Sequence, residues 1–167
     1  MKSVAGARPA KRTAAAAPSP PRQLATFLAR YSPPLIAVAK GALARMRRLV
    51  PGAVELVYDN YNALVVAFGP SERASEAVFS IALYPRWVNL FFAQGAALAD
   101  PDGLLRGSGT RVRHIVLEDA KVLDDPRVRR LIARALARAP RPLDASRKRR
   151  MVVRAIAPRQ RARRPPA

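Results

Sequence analysis

The chain has 167 residues, with 31 Lys and Arg against 11 Asp and Glu, and therefore a formal net charge of +20. Such an excess attracts polyanions at low salt. The absence of cysteine excludes disulfides, a thiolate nucleophile and a cysteine-ligated zinc site.

The positive charge is concentrated at the two ends of the chain. Residues 1–23 contain five basic and no acidic residues, residues 139–167 contain ten basic and one acidic residue, and the middle carries a net charge of +6. Ala-, Pro- and Arg-rich ends bury too little apolar surface to offset their ordering entropy. We therefore predict disordered basic tails at 1–22 and 140–167, around a single domain at 23–139. A short apolar group at 151–156 is the exception, and it favours a strand or a helical turn.

Two helical segments open the domain. Apolar residues recur at helical spacing from Leu24 to Tyr31 and again from Leu35 to Leu49. Between them, Ser32 followed by two prolines is typical of a helix start, and Pro51-Gly52 ends the second segment. The pattern fits either two helices or one kinked helix.

After Gly52, the apolar residues occur in short runs that predict β-strands, with turns at Asp59-Asn60 and Tyr84-Pro85-Arg86. Such short connections allow hairpins but no helical crossover, so the sheet should be largely antiparallel. Asp124-Asp125-Pro126 then caps a last helix. The fold class is therefore α+β, with helices on one face of an antiparallel sheet of about five strands. The predicted strands are Val54–Tyr58, Ala63–Phe68, Val78–Leu83, Trp87–Phe92 and Thr110–Leu117.

The stretch DPDGLLRGSGTRVRHI, residues 100–115, suggests three kinds of site and fits none of them. A calcium loop beginning at Asp100 would need glycine where Leu105 stands and glutamate where Arg111 stands. A phosphate-binding P-loop would need a lysine and a different gap, and a dinucleotide motif would need glycine at Val112. The glycines are better explained by turns in a long connection.

Nor do the ionisable residues form a recognisable catalytic motif. His114 is the only histidine, and neither a nucleophile elbow nor a zinc-binding helix motif accompanies it. The turn YDNYN nevertheless places aromatic rings beside amide groups, a mixture found in ligand pockets. The candidate pocket residues are Tyr58, Asp59, Asn60, Arg86, Trp87 and His114. An enzyme using Tyr58, Asn60, Arg86 and His114 is the weaker alternative.

The tails contain basic runs such as SRKRR and RQRARR, which attract phosphate but include no aromatic residue for base stacking. They predict non-specific association with nucleic acid. The candidate tail contacts are Lys11, Arg12, Arg147, Lys148, Arg149, Arg150, Arg161, Arg163 and Arg164.

Three segments carry a resemblance to a known family. They are GAALADPDGLLRGSGTRVRHIVL, with an Asp-Pro stretch, a Leu-Leu-x-Gly-x-Gly turn and an Arg-His-Ile strand, and upstream VELVYDNYNALVVAF and FSIALYPRWVNLFF. On these residues, the chain from about Gln23 to Ala139 resembles the YdhG-like domain family, a group of unknown function with a frataxin-like fold. The resemblance implies a frataxin-like sandwich. It also implies an alternative function in iron binding or delivery, for which Glu118 and Asp119 are the candidate ligands.

The sequence thus favours a non-enzymatic, cytoplasmic binding module without a cofactor. The expected partners are nucleic acid, bound non-specifically through the tails, and an unidentified small ligand or protein. No apolar run approaches the roughly 20 residues needed to cross a bilayer, so no membrane contact is expected.

Overall fold

The computed structural model describes residues 15–167, so the predictions for residues 1–14, including Lys11 and Arg12, lie outside it. The class is α+β, as predicted. The helices are α1 (Pro20–Leu28), α2 (Pro33–Leu49) and α3 (Pro126–Ala137), and the strands are β1 (Val54–Asp59), β2 (Leu64–Gly69), β3 (Phe79–Leu83), β4 (Val88–Phe92), β5 (Arg113–Val116) and β6 (Arg150–Ile156).

The three helices of the described residues all begin at a proline, which suits the first turn because the N–H that proline lacks has no helical partner there. Ser32 occupies the residue before α2, but its side chain makes no capping hydrogen bond. Asp125 does cap α3, because its carboxylate accepts the backbone N–H of Arg127. Two separate helices therefore open the domain, and the acidic start of the last helix is confirmed.

Within residues 15–167, the sheet has six strands in the order β5-β4-β3-β2-β1-β6. The first five form an antiparallel meander, as the short connections predicted. The prediction of five strands is one short, because β6 pairs in parallel with β1 and makes the sheet mixed. The apolar residues at 151–153 therefore lie in a strand, inside the segment that was predicted to be a mostly disordered tail.

The core lies between the helices and one face of the sheet. Side chains at alternate strand positions, such as Val57, Val66, Ile81 and Leu90, join residues of all three helices in one buried cluster. The opposite face carries a smaller cluster around Val54, Leu56 and Ala67. We call this opposite side the second face of the sheet. Within residues 15–167, no helix is both long enough and apolar enough to cross a membrane.

The long connection between β4 and β5 has the turn character expected of it. Gly103 and Gly107 have φ angles of +63° and +119°, which favour glycine. Asp100 is not the start of a calcium loop. Its carboxylate accepts the backbone N–H groups of Leu104 and Leu105 at 3.0 and 2.8 Å and so shapes the turn.

Candidate functional site

Two carboxylates of β1 point into the core on the helix side, where Val57 between them also points. Glu55 is 1 % exposed and Asp59 is fully buried. Burying a carboxylate is costly unless it is paired and hydrogen-bonded. Glu55 meets this need through Arg47 of α2, at 2.8 Å, and Arg149, at 3.5 Å.

Asp59 is held by two arginines that are distant in sequence. Arg30, just after α1, and Arg163, near the C-terminus, both bond its carboxylate, with Arg163 Nη2 at 2.8 Å from Oδ1. Arg163 also donates to the backbone carbonyls of Asn60 and Tyr61. This arrangement fastens the end of the chain to the turn between β1 and β2.

Tyr31 completes the packing under this turn. Its hydroxyl donates to the carbonyl of Leu83 and accepts the N–H of Leu64, at 3.0 and 3.1 Å. Burial raises the pKa of the Tyr31 hydroxyl, although the nearby Arg163 guanidinium opposes the shift. The guanidinium lies 5.7 Å from the centre of the tyrosine ring. Arg163 is therefore a structural residue, 4 % exposed, rather than a free contact for phosphate.

An open groove of about 550 Å³ lies at the end of the sheet where two hairpins turn. The turn between β1 and β2 and the turn between β3 and β4 meet there, because alternate turns of a meander lie at the same end. We call it the hairpin-tip groove. Its lining includes Asn60, Tyr61, Asn62, Tyr84, Trp87 and Arg161.

Aromatic rings dominate this groove. Tyr84 and Trp87 stack with their ring centres 5.1 Å apart and an angle of 25° between the planes. Tyr61 and Trp87 are 54 % and 44 % exposed, and they are the two aromatic residues among the large exposed apolar side chains of residues 15–167. Exposed aromatic surface of this kind is typical of binding sites.

Arg161 brings positive charge to the groove because its backbone N–H donates to the carbonyl of Tyr61, at 2.9 Å. Arg86 is exposed in the same turn as Trp87. The carboxylate nearest in sequence, Asp59, is already neutralised by two arginines. The groove therefore combines exposed rings with uncompensated positive charge.

The structure brings together only part of the predicted pocket. Asn60 and Trp87 line one groove, whereas Asp59 is buried and Tyr58 is half-buried on the second face of β1. His114 lies on β5, four strands away from β1. At about 4.8 Å per strand spacing, this separation is about 19 Å. The enzyme alternative, which needed Tyr58 and His114 in one site, has no such site among the described residues.

His114 has a structural setting instead. It pairs with Phe91 of β4, and the two rings lie 5.5 Å apart. Its backbone also forms a bridge with Arg106, in the preceding loop.

The predicted C-terminal contacts divide into paired and unpaired side chains. Of the seven, Arg149 pairs with Glu55, Arg150 with Glu72 and Arg163 with Asp59. The other four side chains form no ion pair in the described part of the chain, although Arg147 and Arg164 donate to backbone carbonyls. These four are Arg147, Lys148, Arg161 and Arg164.

The candidate iron ligands are adjacent in sequence but do not form a cluster. Glu118 is exposed, and the Asp119 carboxylate accepts the backbone N–H of Lys121 at 2.8 Å, which starts the short helical turn Ala120–Asp124. Across residues 15–167, no three His, Asp or Glu side chains come together in a way that could hold a metal ion.

No family model, curated protein or solved structure matches the chain.

Proposed function

We propose that this chain is a non-enzymatic module that binds nucleic acid through an uncompensated basic surface. The observation that supports the proposal is that most of the basic residues in residues 15–167 form no ion pair. Four of the 31 Lys and Arg residues lie in residues 1–14, so 27 lie in the described part with all 11 acidic residues. Nine of the 27 form ion pairs there, which leaves 18 without one.

The acidic residues, by contrast, are mostly occupied. Six of the 11 take part in those ion pairs, so they neutralise arginines within the fold. Asp100, Asp119 and Asp144 accept backbone N–H groups. Outside the ion pairs, five carboxylates therefore stand against 18 basic residues in the described part of the chain, so the unpaired charge there is strongly positive.

The densest part of this surface is the C-terminal basic segment, residues 147–164, which has nine basic residues and no acidic one. Three of them, Arg149, Arg150 and Arg163, are held in ion pairs. Of the remaining six, Arg154 lies in β6 and the other five lie in the segments on either side of this strand, which are attached to the domain. An attached basic segment presents its charges to phosphate at lower entropic cost than a disordered tail.

Because β6 belongs to the sheet, deleting the C-terminal segment would damage the fold and would not test binding cleanly. Substitution of exposed, unpaired residues is the better test. Lys148, Arg154 and Arg159 are suitable for replacement by Gln, and Arg73, Lys121 and Arg130 form a matched control that removes the same charge elsewhere.

The assay is fluorescence anisotropy with a labelled 20-base-pair duplex, over a series of salt concentrations. Each lost phosphate contact should reduce the slope of log K against log salt by about 0.9, so the C-terminal triple variant should lose up to about 2.7. The control triple should change the slope less. Equal slopes for the two variants would contradict the assignment of binding to this segment, and affinity independent of salt would contradict the proposal itself.

We also propose that residues 23–139 form a YdhG-like domain with a frataxin-like arrangement. Two features support this. All three helices contribute to the core on one side of the sheet, and the loop with the Leu-Leu-x-Gly-x-Gly pattern leads into the strand that contains Arg113, His114 and Ile115. An experimental structure that places the helices on both sides of the sheet would contradict it.

A further inference from the structure

The hairpin-tip groove has a feature that phosphate attraction does not explain, namely the exposed rings of Tyr61 and Trp87. Tyr84 supports the Trp87 indole by stacking on it, while Trp87 remains 44 % exposed. A supported ring loses little conformational freedom when a second flat group stacks on its exposed surface. The groove is therefore preorganised for a planar ligand.

The charge around the rings suits an anionic planar ligand. Arg161 lines the groove and Arg86 is exposed beside Trp87, and neither forms an ion pair in residues 15–167. No acidic residue from the described part of the chain lines the groove. A planar base attached to a phosphate backbone matches both the rings and the arginines.

Two amides add hydrogen-bonding capacity. Asn60 and Asn62 line the groove, and their side chains make no hydrogen bond within the described part of the chain. A free carboxamide can donate and accept, as the edges of nucleobases require.

Base faces and Watson–Crick edges are hidden in a duplex and accessible in a single strand. On the basis of the proposed nucleic-acid binding, we propose that the hairpin-tip groove binds single-stranded nucleic acid. Bases stack on Trp87 and Tyr61, and Arg161 and Arg86 contact the neighbouring phosphates.

Trp87 is also the means of testing this, because it is the only tryptophan in the chain. Its fluorescence therefore reports this groove alone. The probes are a dT12 oligonucleotide, an abasic deoxyribose-phosphate 12-mer of equal charge, and a 12-base-pair duplex. We expect dT12 to quench Trp87 and to bind about tenfold more tightly than the abasic 12-mer, which supplies phosphates but no bases.

Substitution separates stacking from charge. Trp87→Ala should weaken dT12 binding about tenfold and leave binding of the abasic 12-mer unchanged. Trp87→Phe, which keeps a ring, should retain most of the affinity, and Tyr61→Ala should also lose affinity for dT12. Val112→Ala is a matched control, since Val112 is 46 % exposed but does not line the groove. Urea unfolding of each variant shows whether the fold is intact.

The outcomes distinguish this inference from the proposed function. If none of the three probes binds, both fail. If dT12 and the abasic 12-mer bind equally, Trp87 fluorescence does not change, and Trp87→Ala has no effect, then nucleic-acid binding stands and the stacking site is overturned. Tighter binding of the duplex with unchanged Trp87 fluorescence also overturns it.

Discussion

Removal of the Arg163 side chain tests whether the C-terminal segment is part of the folded domain. The side chains of Arg163 and Asp59 are 3 % and 1 % exposed, so Arg163→Ala takes one of two cationic partners from a buried carboxylate. Breaking a buried ion pair by removing one partner costs roughly 3–5 kcal/mol. Because Arg30 still bonds Asp59, we expect a loss near the low end, about 3 kcal/mol of unfolding free energy.

Urea unfolding followed by circular dichroism measures this loss. For a slope of about 2 kcal/mol/M, the midpoint should fall by about 1.5 M. The control is Arg161→Ala, because Arg161 is exposed and bonds Tyr61 only through its backbone N–H. It should change stability by less than about 0.5 kcal/mol. Equal midpoints for the two variants would refute the reasoning, as would an Asp59→Asn, Arg163→Met double variant that is less stable than Arg163→Ala.

Three further predictions concern the body of the domain. Gly52 has a φ of +79°, and a Cβ there would lie 1.8 Å from the Asp144 carbonyl oxygen. Gly52→Ala should therefore lower the free energy of unfolding by at least about 1 kcal/mol, and the melting temperature should fall with it. An unchanged melting curve would contradict this. The Arg127 side chain, then its backbone N–H, lower the pKa of Asp125 from 3.8 to about 2. The stabilisation from Asp125 is therefore complete above pH 3.8 and is lost as the pH falls through about 2, a dependence that Asp125→Asn should reduce in urea titrations between pH 5 and 2. Asn89 is buried with no partner for its Oδ1 in the described residues, so Asn89→Val should raise the urea midpoint by an amount equivalent to about 1 kcal/mol, and a lower midpoint would show that the amide has a partner.

The sequence predicted β1 to β4 to within about one residue at each end, because a meander is built from neighbouring hairpins with local turn signals. It placed the start of β5 three residues too early, at Thr110 rather than Arg113. For residues 151–156, which lie in β6, the sequence favoured either a strand or a helical turn, and the reason is different. The partner of β6 is β1, which begins 96 residues earlier at Val54, and nothing local in a basic segment shows that such a pairing exists.

Part of the hairpin-tip groove could be predicted, because local turn signals identify the two hairpins that form it. Asn60 and Trp87 belong to turns of neighbouring hairpins, and the sequence placed them together. His114 was added wrongly, because a list of strands does not show how many of them separate two residues in space. The burial of the Glu55 and Asp59 carboxylates could have been predicted from the sequence pattern of β1. Glu55 and Asp59 alternate along an apolar strand and therefore lie on the same side of it as Val57. Where that side is buried, both carboxylates require cationic partners.

Asp59 connects the stability of the domain to the proposed binding of single strands. Its bond to Arg163 helps to hold the C-terminal segment over the turn between β1 and β2, together with the bonds from the Gln160 amide to the Asp59 carbonyl and from the Arg161 N–H to the Tyr61 carbonyl. A tail without these attachments would still carry its charge, but it would not place the Arg161 guanidinium at the groove. The buried carboxylate therefore helps to determine where the basic segment lies, and the groove obtains part of its charge from Arg161, which follows Tyr61 by 100 positions and Trp87 by 74.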